Sequence, residues 1–179
     1  MIARDLRFRI AGAADAPAVA QLHAASWRSA YRGVLRDAYL DGALDSERAA
    51  LWHERLVNGA DAPLEVLLME DPRGLLGFGC LCPDADPAWG PLIDNLHVQP
   101  ALKGEGLGRQ LMGALQQRIT ASGATQGFHL WVLEANLAAR AFYRRLGGRE
   151  LAPEHHEMPD GATYPCLRVV WQGAAPASA

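Results

Sequence analysis

Three cysteines in 179 residues, no long apolar run and no surplus of basic charge exclude several functions at the outset. Cys80, Cys82 and Cys166 cannot all pair within one chain, and on a strand Cys80 and Cys82 project from the same face. They read as reduced thiols of a cytoplasmic protein. The longest apolar runs, residues 66–69 and 130–133 among them, fall far short of the roughly 20 residues that cross a bilayer. The opening residues interrupt every apolar pair with charge, which argues against a secretory signal. Lys and Arg number 17 against 20 Asp and Glu, a formal net charge of -3, and they are scattered. Such a chain offers no footprint for a polyanion, so neither nucleic acid nor a membrane is an expected partner. His155-His156-Glu157 lacks the two-histidine helical spacing of a metalloprotease, and no metal is expected.

With 50% apolar and 21% charged residues, the chain suits one globular domain, residues 1–173, while 174–179 lack the bulk to pack and read as a flexible tail. Residues 6–10 alternate as a strand does. Asp15-Ala16-Pro17 opens a first helix, with Asp15 as its cap, that runs towards Arg32, and Ser46 is placed to cap a second that reaches Val57. Residues 64–69 and 75–82 form a hairpin across Asp71-Pro72-Arg73-Gly74. Residues 83–91 read as a surface loop and 92–98 as a strand. Helices over 107–119 and 137–146, and strands over 128–133 and 167–171, complete the pattern.

The strongest local signal is Val98-Gln99-Pro100-Ala101-Leu102-Lys103-Gly104-Glu105-Gly106-Leu107-Gly108-Arg109, between an apolar strand and an amphipathic helix. Glycines let backbone N–H groups turn inward, and the helix N-terminus adds partial positive charge, which together suit a pyrophosphate. A P-loop would need Lys and then Ser or Thr after the last glycine, where this chain has Arg109-Gln110. A dinucleotide fingerprint would open an early strand–helix unit of a parallel sheet, whereas this turn follows a hairpin. Glycines before a helix also serve simply to pack it against a strand.

The segment Ala101–Gly106 resembles the Q/R-x-x-G-x-G/A signature of the GNAT family of acetyl-CoA-dependent N-acetyltransferases, with Ala101 in place of the first residue and Lys103 as the basic residue before the first glycine. Asn136-Leu137-Ala138-Ala139-Arg140-Ala141-Phe142-Tyr143-Arg144-Arg145-Leu146-Gly147-Gly148 is similar to the family's N-x-x-A-x-x-F-Y-x-x-x-G-F, with Gly148 where Phe is usual. The resemblance implies an α+β fold, a mixed and mostly antiparallel sheet of six to seven strands flanked by about four helices. It implies acetyl-CoA as cosubstrate and an amine or peptide N-terminus as acceptor. The backbone of Leu96, His97 and Val98 would bind pantetheine and thioester, Lys103 and the amides of Gly104, Glu105, Gly106, Leu107, Gly108 and Arg109 the pyrophosphate, and Asn136 the pantetheine.

Tyr143 is a candidate general acid for the departing thiolate, or an aromatic packed on the sheet. The attacking amine must lose a proton, and Asp94 and His97 are the nearest candidates to receive it, with Glu134 a third. In a regular strand Asp94 and His97 point to opposite faces, and a bulge would bring them to one. Trp27 and Tyr31 are candidates for an amine-binding wall, although the register of Trp27 also places it in the core. A domain that holds acyl-CoA as a sensor without transfer is the opposing reading. A homodimer is compatible with either.

Overall fold

The computed structural model describes residues 4–172, so residues 174–179, read above as a tail, lie outside it. Seven strands form one sheet: β1 (Arg7–Ile10), β2 (Glu65–Asp71), β3 (Gly74–Asp86), β4 (Gly90–Val98), β5 (Gly127–Leu133), β6 (Arg149–Glu157) and β7 (Thr163–Gln172). Their order is β1-β2-β3-β4-β5-β7-β6, antiparallel at every junction except β4 with β5. The helices are α1 (Ala16–Tyr31), α2 (Asp37–Asp41), α3 (Leu44–His53), α4 (Leu107–Ala121) and α5 (Leu137–Arg145).

Period-two strands and 3.6-period helices divide the core between the two faces of the sheet. On one face, Leu67, Leu81, Ile93, Leu130 and Val169 meet Leu111, Met112, Leu115 and Ile119 of α4. On the other, Val66, Leu68, Phe78 and Cys80 meet Val19, Ala20 and Leu22 of α1 and Trp52 of α3. Gly79 is required by the first of these contacts, since a Cβ there would lie 2.5 Å from Leu115 Cδ1. No helix among the described residues is long and apolar enough to cross a membrane.

Several local expectations are corrected. Asp15 makes no side-chain cap to α1; its carboxylate accepts from the Gly12 N–H at 2.8 Å and pairs with Arg9. Ser46 lies inside α3, which begins at Leu44, and its hydroxyl donates to the Ala43 carbonyl at 2.9 Å. The helix then ends at His53 in a π-helical turn, Glu54–Gly59. Residues 83–91 are not one loop: β3 continues to Asp86 and β4 begins at Gly90. Asp86 closes that tighter turn by accepting from the N–H groups of Ala88 and Trp89.

Candidate active site

The parallel junction creates the site. Strands β4 and β5 pair at a single register position, Leu92 with His129, and no ladder joins their C-terminal halves. Alternate backbone groups of β4 therefore face a gap. Both strands run in the same direction, so the chain leaves each at one edge and enters a helix there, α4 after β4 and α5 after β5. Ligands of such sheets gather at this kind of strand end.

On the β4 side, Gly104 and Gly106 adopt φ of 88° and 81°, and a Cβ added at either would meet no atom within 4 Å. The turn is an open cradle. Gly106 stands directly before α4, whose first intrahelical bond of this turn runs from the Gln110 N–H to the Gly106 carbonyl at 3.2 Å. The amides of Leu107, Gly108 and Arg109 precede it and have no helical acceptor by geometry. These donors and the helix dipole fit a pyrophosphate. The Glu105 amide is engaged differently, with the Leu102 carbonyl at 3.4 Å, and its carboxylate pairs with Arg4 at 2.7 Å. Gly108 lets α4 approach α5, since its Cβ would touch Phe142 at 3.3 Å, while the Leu107 side chain is core. The Lys103 ammonium donates to Ser29 Oγ of α1 at 2.9 Å, and the Arg109 side chain is exposed.

On the β5 side, the Asn136 side chain caps α5 by accepting from the Ala139 N–H at 3.2 Å. Its carboxamide also lies near Tyr31 of α1. Asn136→Ala should therefore lower stability by about 1 kcal/mol in chemical denaturation, the usual worth of an N-cap. Tyr143, two helical turns further, is buried between Phe142 and Trp171, with ring centroids 5.3 and 6.0 Å away. Burial, and then its neighbour Tyr31, push the Tyr143 phenol above its ordinary range, so it stays protonated. Burial likewise raises Tyr31, against the opposing effect of Asn136. Gly148 has no room for the Phe usual at its position, because a Cβ would lie 2.6 Å from both Trp171 and Val169. Trp171 fills that space, stacked on Phe128 at 4.8 Å and donating from Nε1 to the Leu146 carbonyl.

The strand between these two walls carries the bulge that the spacing of Asp94 and His97 requires. Leu81 pairs with Ile93 and Cys80 with Asn95, leaving Asp94 as the extra residue of β4. The alternation shifts there. His97, opposite Phe78, lies on the α1 face, and Leu96 and Val98 pack on the α4 face. Asp94 also turns towards the α1 side, where Arg55 of the π-helical turn donates to it at 2.7 Å and the Asn95 amide at 2.5 Å. His97 Nδ1 is hydrogen-bonded to Ser26 Oγ at 2.9 Å. Glu134 is exposed at the end of β5, where its carbonyl accepts from Arg140.

Two residues of this cluster went unnamed in the sequence reading. His23, one helical turn before Trp27, is 1% exposed and its ring lies 4.6 Å from that of His97. Arg48 of α3 stacks over Trp27 at 4.7 Å. Position on the apolar stripe of α1 was the available signal for His23; nothing local marked Arg48. Trp27 itself is buried, edge-on to His23 and Tyr31, and Tyr31 is half-buried beside Asn136 and Tyr143. His156 of β6 lies against Trp131 at 4.3 Å.

The two histidines are held neutral. Burial, then the positive charges of Arg48 and Lys103, bring His97 down to about 3. Burial, then His97, Arg48 and Arg55, depress His23. In the unfolded chain both titrate near 6.5. Between 6.5 and the folded values the unfolded state binds more protons, so stability is fully present above about pH 7 and is lost as pH falls. Thermal midpoints measured from pH 8 to 4 should be flat at first and then decline below about 6.5. A midpoint constant down to pH 4 would contradict this pair of burials.

The sequence profile of the Acetyltransferase (GNAT) family matches residues 18–148, which span both walls of the gap. The chain belongs to the GNAT family of acetyltransferases. A "Probable N-acetyltransferase" of Mycobacterium tuberculosis is 31% identical over 146 residues, covering 79% of this chain and 78% of its relative. The crystal structure of a GCN5-related N-acetyltransferase from Rhodopseudomonas palustris superposes with a TM-score of 0.74 at 20% identity, over 96% of this chain and 98% of that one. The PaiA N-acetyltransferase from Thermoplasma acidophilum, solved in complex with coenzyme A, gives a TM-score of 0.67 at 14% identity, over 93% and 99%. The α+β architecture of this GNAT acetyltransferase, a seven-stranded mixed sheet with five helices, is the one these structures share.

Proposed function

We propose that this acetyltransferase moves the acetyl group of acetyl-CoA to a primary amine by direct attack within a ternary complex. The observation that carries the proposal is the unpaired gap between β4 and β5, with the open glycine cradle and free amides of α4 on one wall and Tyr143 on the other. The Gly104–Gly106 turn and the amides that open α4 hold the pyrophosphate, and the unpaired β4 backbone around Leu96, His97 and Val98 lies along the pantetheine and the thioester.

The amine approaches from the α1 side of β4. Its nitrogen forms a bond to the thioester carbonyl carbon as the carbon–sulfur bond breaks, and an N–H group of the unpaired β4 edge stabilises charge building on the carbonyl oxygen. The amine proton passes towards Asp94, an exposed carboxylate that shares its charge with Arg55 and opens to solvent. His97, kept neutral by burial and by the charges of Arg48 and Lys103, serves as a hydrogen-bonding group beside that path. Tyr143 donates its proton to the sulfur. The same enclosed setting that raises its own pKa also makes a thiolate more basic, which favours transfer.

Cys166, the thiol beside Tyr31, is buried with its pKa raised by burial, an inert state for an acetyl-cysteine route. Initial rates at varied acetyl-CoA and amine test the sequence of events. Intersecting double-reciprocal lines agree with the ternary complex, and parallel lines with an acetylated protein would replace it. Three free thiols and the single-domain sequence pattern support a cytoplasmic enzyme of one domain.

A further inference from the structure

Arg48 is the only arginine or lysine that is buried among the described residues, at 8% exposure. Arg55, Arg140 and Arg168, which are also partly enclosed, each meet a carboxylate within 3.1 Å. Arg48 does not. Its nearest carboxylate, Glu47, is 3.8 Å away and already accepts the Tyr39 hydroxyl at 2.7 Å. None of its five N–H donors forms a hydrogen bond to the described residues, and Nε is fully enclosed without a partner. A buried guanidinium compensated only by one long ion pair and an aromatic face is costly to hold, so its position favours an anion at close range.

The place of this charge narrows the anion to a part of the acceptor. Arg48 lies over the face of Trp27, which meets His23 edge-on, and His23 in turn lies 4.6 Å from His97, so Arg48 borders the α1 side of β4 from which the amine approaches. A second donor in the same cluster is also unpaired. Trp52 Nε1 donates to His23 Nδ1 at 2.9 Å, which places the proton of the neutral ring on Nε2, and that nitrogen is buried without a partner. The Arg fork matches a planar two-oxygen acceptor better than a point charge would.

We infer that Arg48 receives the carboxylate of the acceptor, which makes the substrates of this acetyltransferase small amines that also carry a carboxylate, amino acids foremost. The inference rests on the transferase reading for the amine, but the carboxylate site can be measured without it.

Calorimetric titrations with the common L-amino acids, with and without coenzyme A, would be followed by the decarboxylated counterpart of each binder, such as 3-methylbutylamine for L-leucine. At least one amino acid should bind, and its counterpart should bind about 50-fold or more weakly. Arg48→Gln should shrink that preference to within about 3-fold, and Arg48→Lys should restore part of it. The Lys variant keeps the charge and guards against a Gln variant that fails to fold. No binding by any amino acid, equal binding of the pair, or a preference that survives in Arg48→Gln would overturn the site. Binding without acetylation would leave the site standing and remove the transferase reading; acetylation confined to the decarboxylated amines would do the reverse.

Discussion

Gly106→Glu should abolish acetyl-CoA binding in a folded protein, raising Kd by at least about 100-fold, or ~2.7 kcal/mol, in calorimetric titration. Two effects add. Gly106 adopts φ of 81°, where a side chain costs about 1–2 kcal/mol, and the new carboxylate would stand where the cradle receives the pyrophosphate. The fold has no reason to fail, because a Cβ there meets nothing within 4 Å and a negative charge before α4 favours its dipole. Gly106→Ala separates the two contributions. It carries the backbone strain without the charge, and its binding should fall by about tenfold or less. Wild-type affinity in the glutamate variant would remove the glycine turn from the coenzyme site.

Tyr143→Phe should lower kcat by about 100-fold while acetyl-CoA affinity stays within a few-fold, because general acid catalysis contributes on that order. The ring is buried against Phe142 and Trp171, and phenylalanine preserves those contacts. The hydroxyl is all that is lost. A variant that loses affinity and turnover together would mark Tyr143 as a packing residue, the other reading that its helical position allowed. The pH dependence gives an independent check. Since burial keeps the phenol above its ordinary range, the wild-type rate should show no loss from tyrosine ionisation up to about pH 10.

The two walls of the gap were legible in the sequence because each is written in local chemistry. Glycines 104 and 106 fall where the chain needs positive φ, and Asn136 sits where α5 needs a cap, so neither depends on distant residues. The helix α1 was equally plain from its apolar stripe. Strand β6 was not seen, because an edge strand with both faces largely wet has no alternation to detect, and Pro153 within it weakens any strand signal. The five-residue α2 is too short for a period and passed as a connection. Ser46 misplaced the start of α3 because its hydroxyl bonds back to Ala43 instead of capping.

The face of β4 was legible only as a condition. Three residues separate Asp94 from His97, and only the pairing with β3 reveals the extra residue that brings them to one side. Arg48 lies further from the reach of sequence reading. On α3 it looks like any solvent-facing arginine, and its burial follows from how α1 and α3 pack around Trp27. A charge enclosed by tertiary contacts leaves no periodic trace in one sequence.

Amine-dependent release of free thiol from acetyl-CoA by the purified protein tests the central claim most directly. The gap, the cradle and Tyr143 predict saturable release with at least one amine, with the N-acetylated amine appearing mole for mole with coenzyme A. Saturable binding of acetyl-CoA with no release above background for any amine would contradict transfer and leave a site that only holds the thioester.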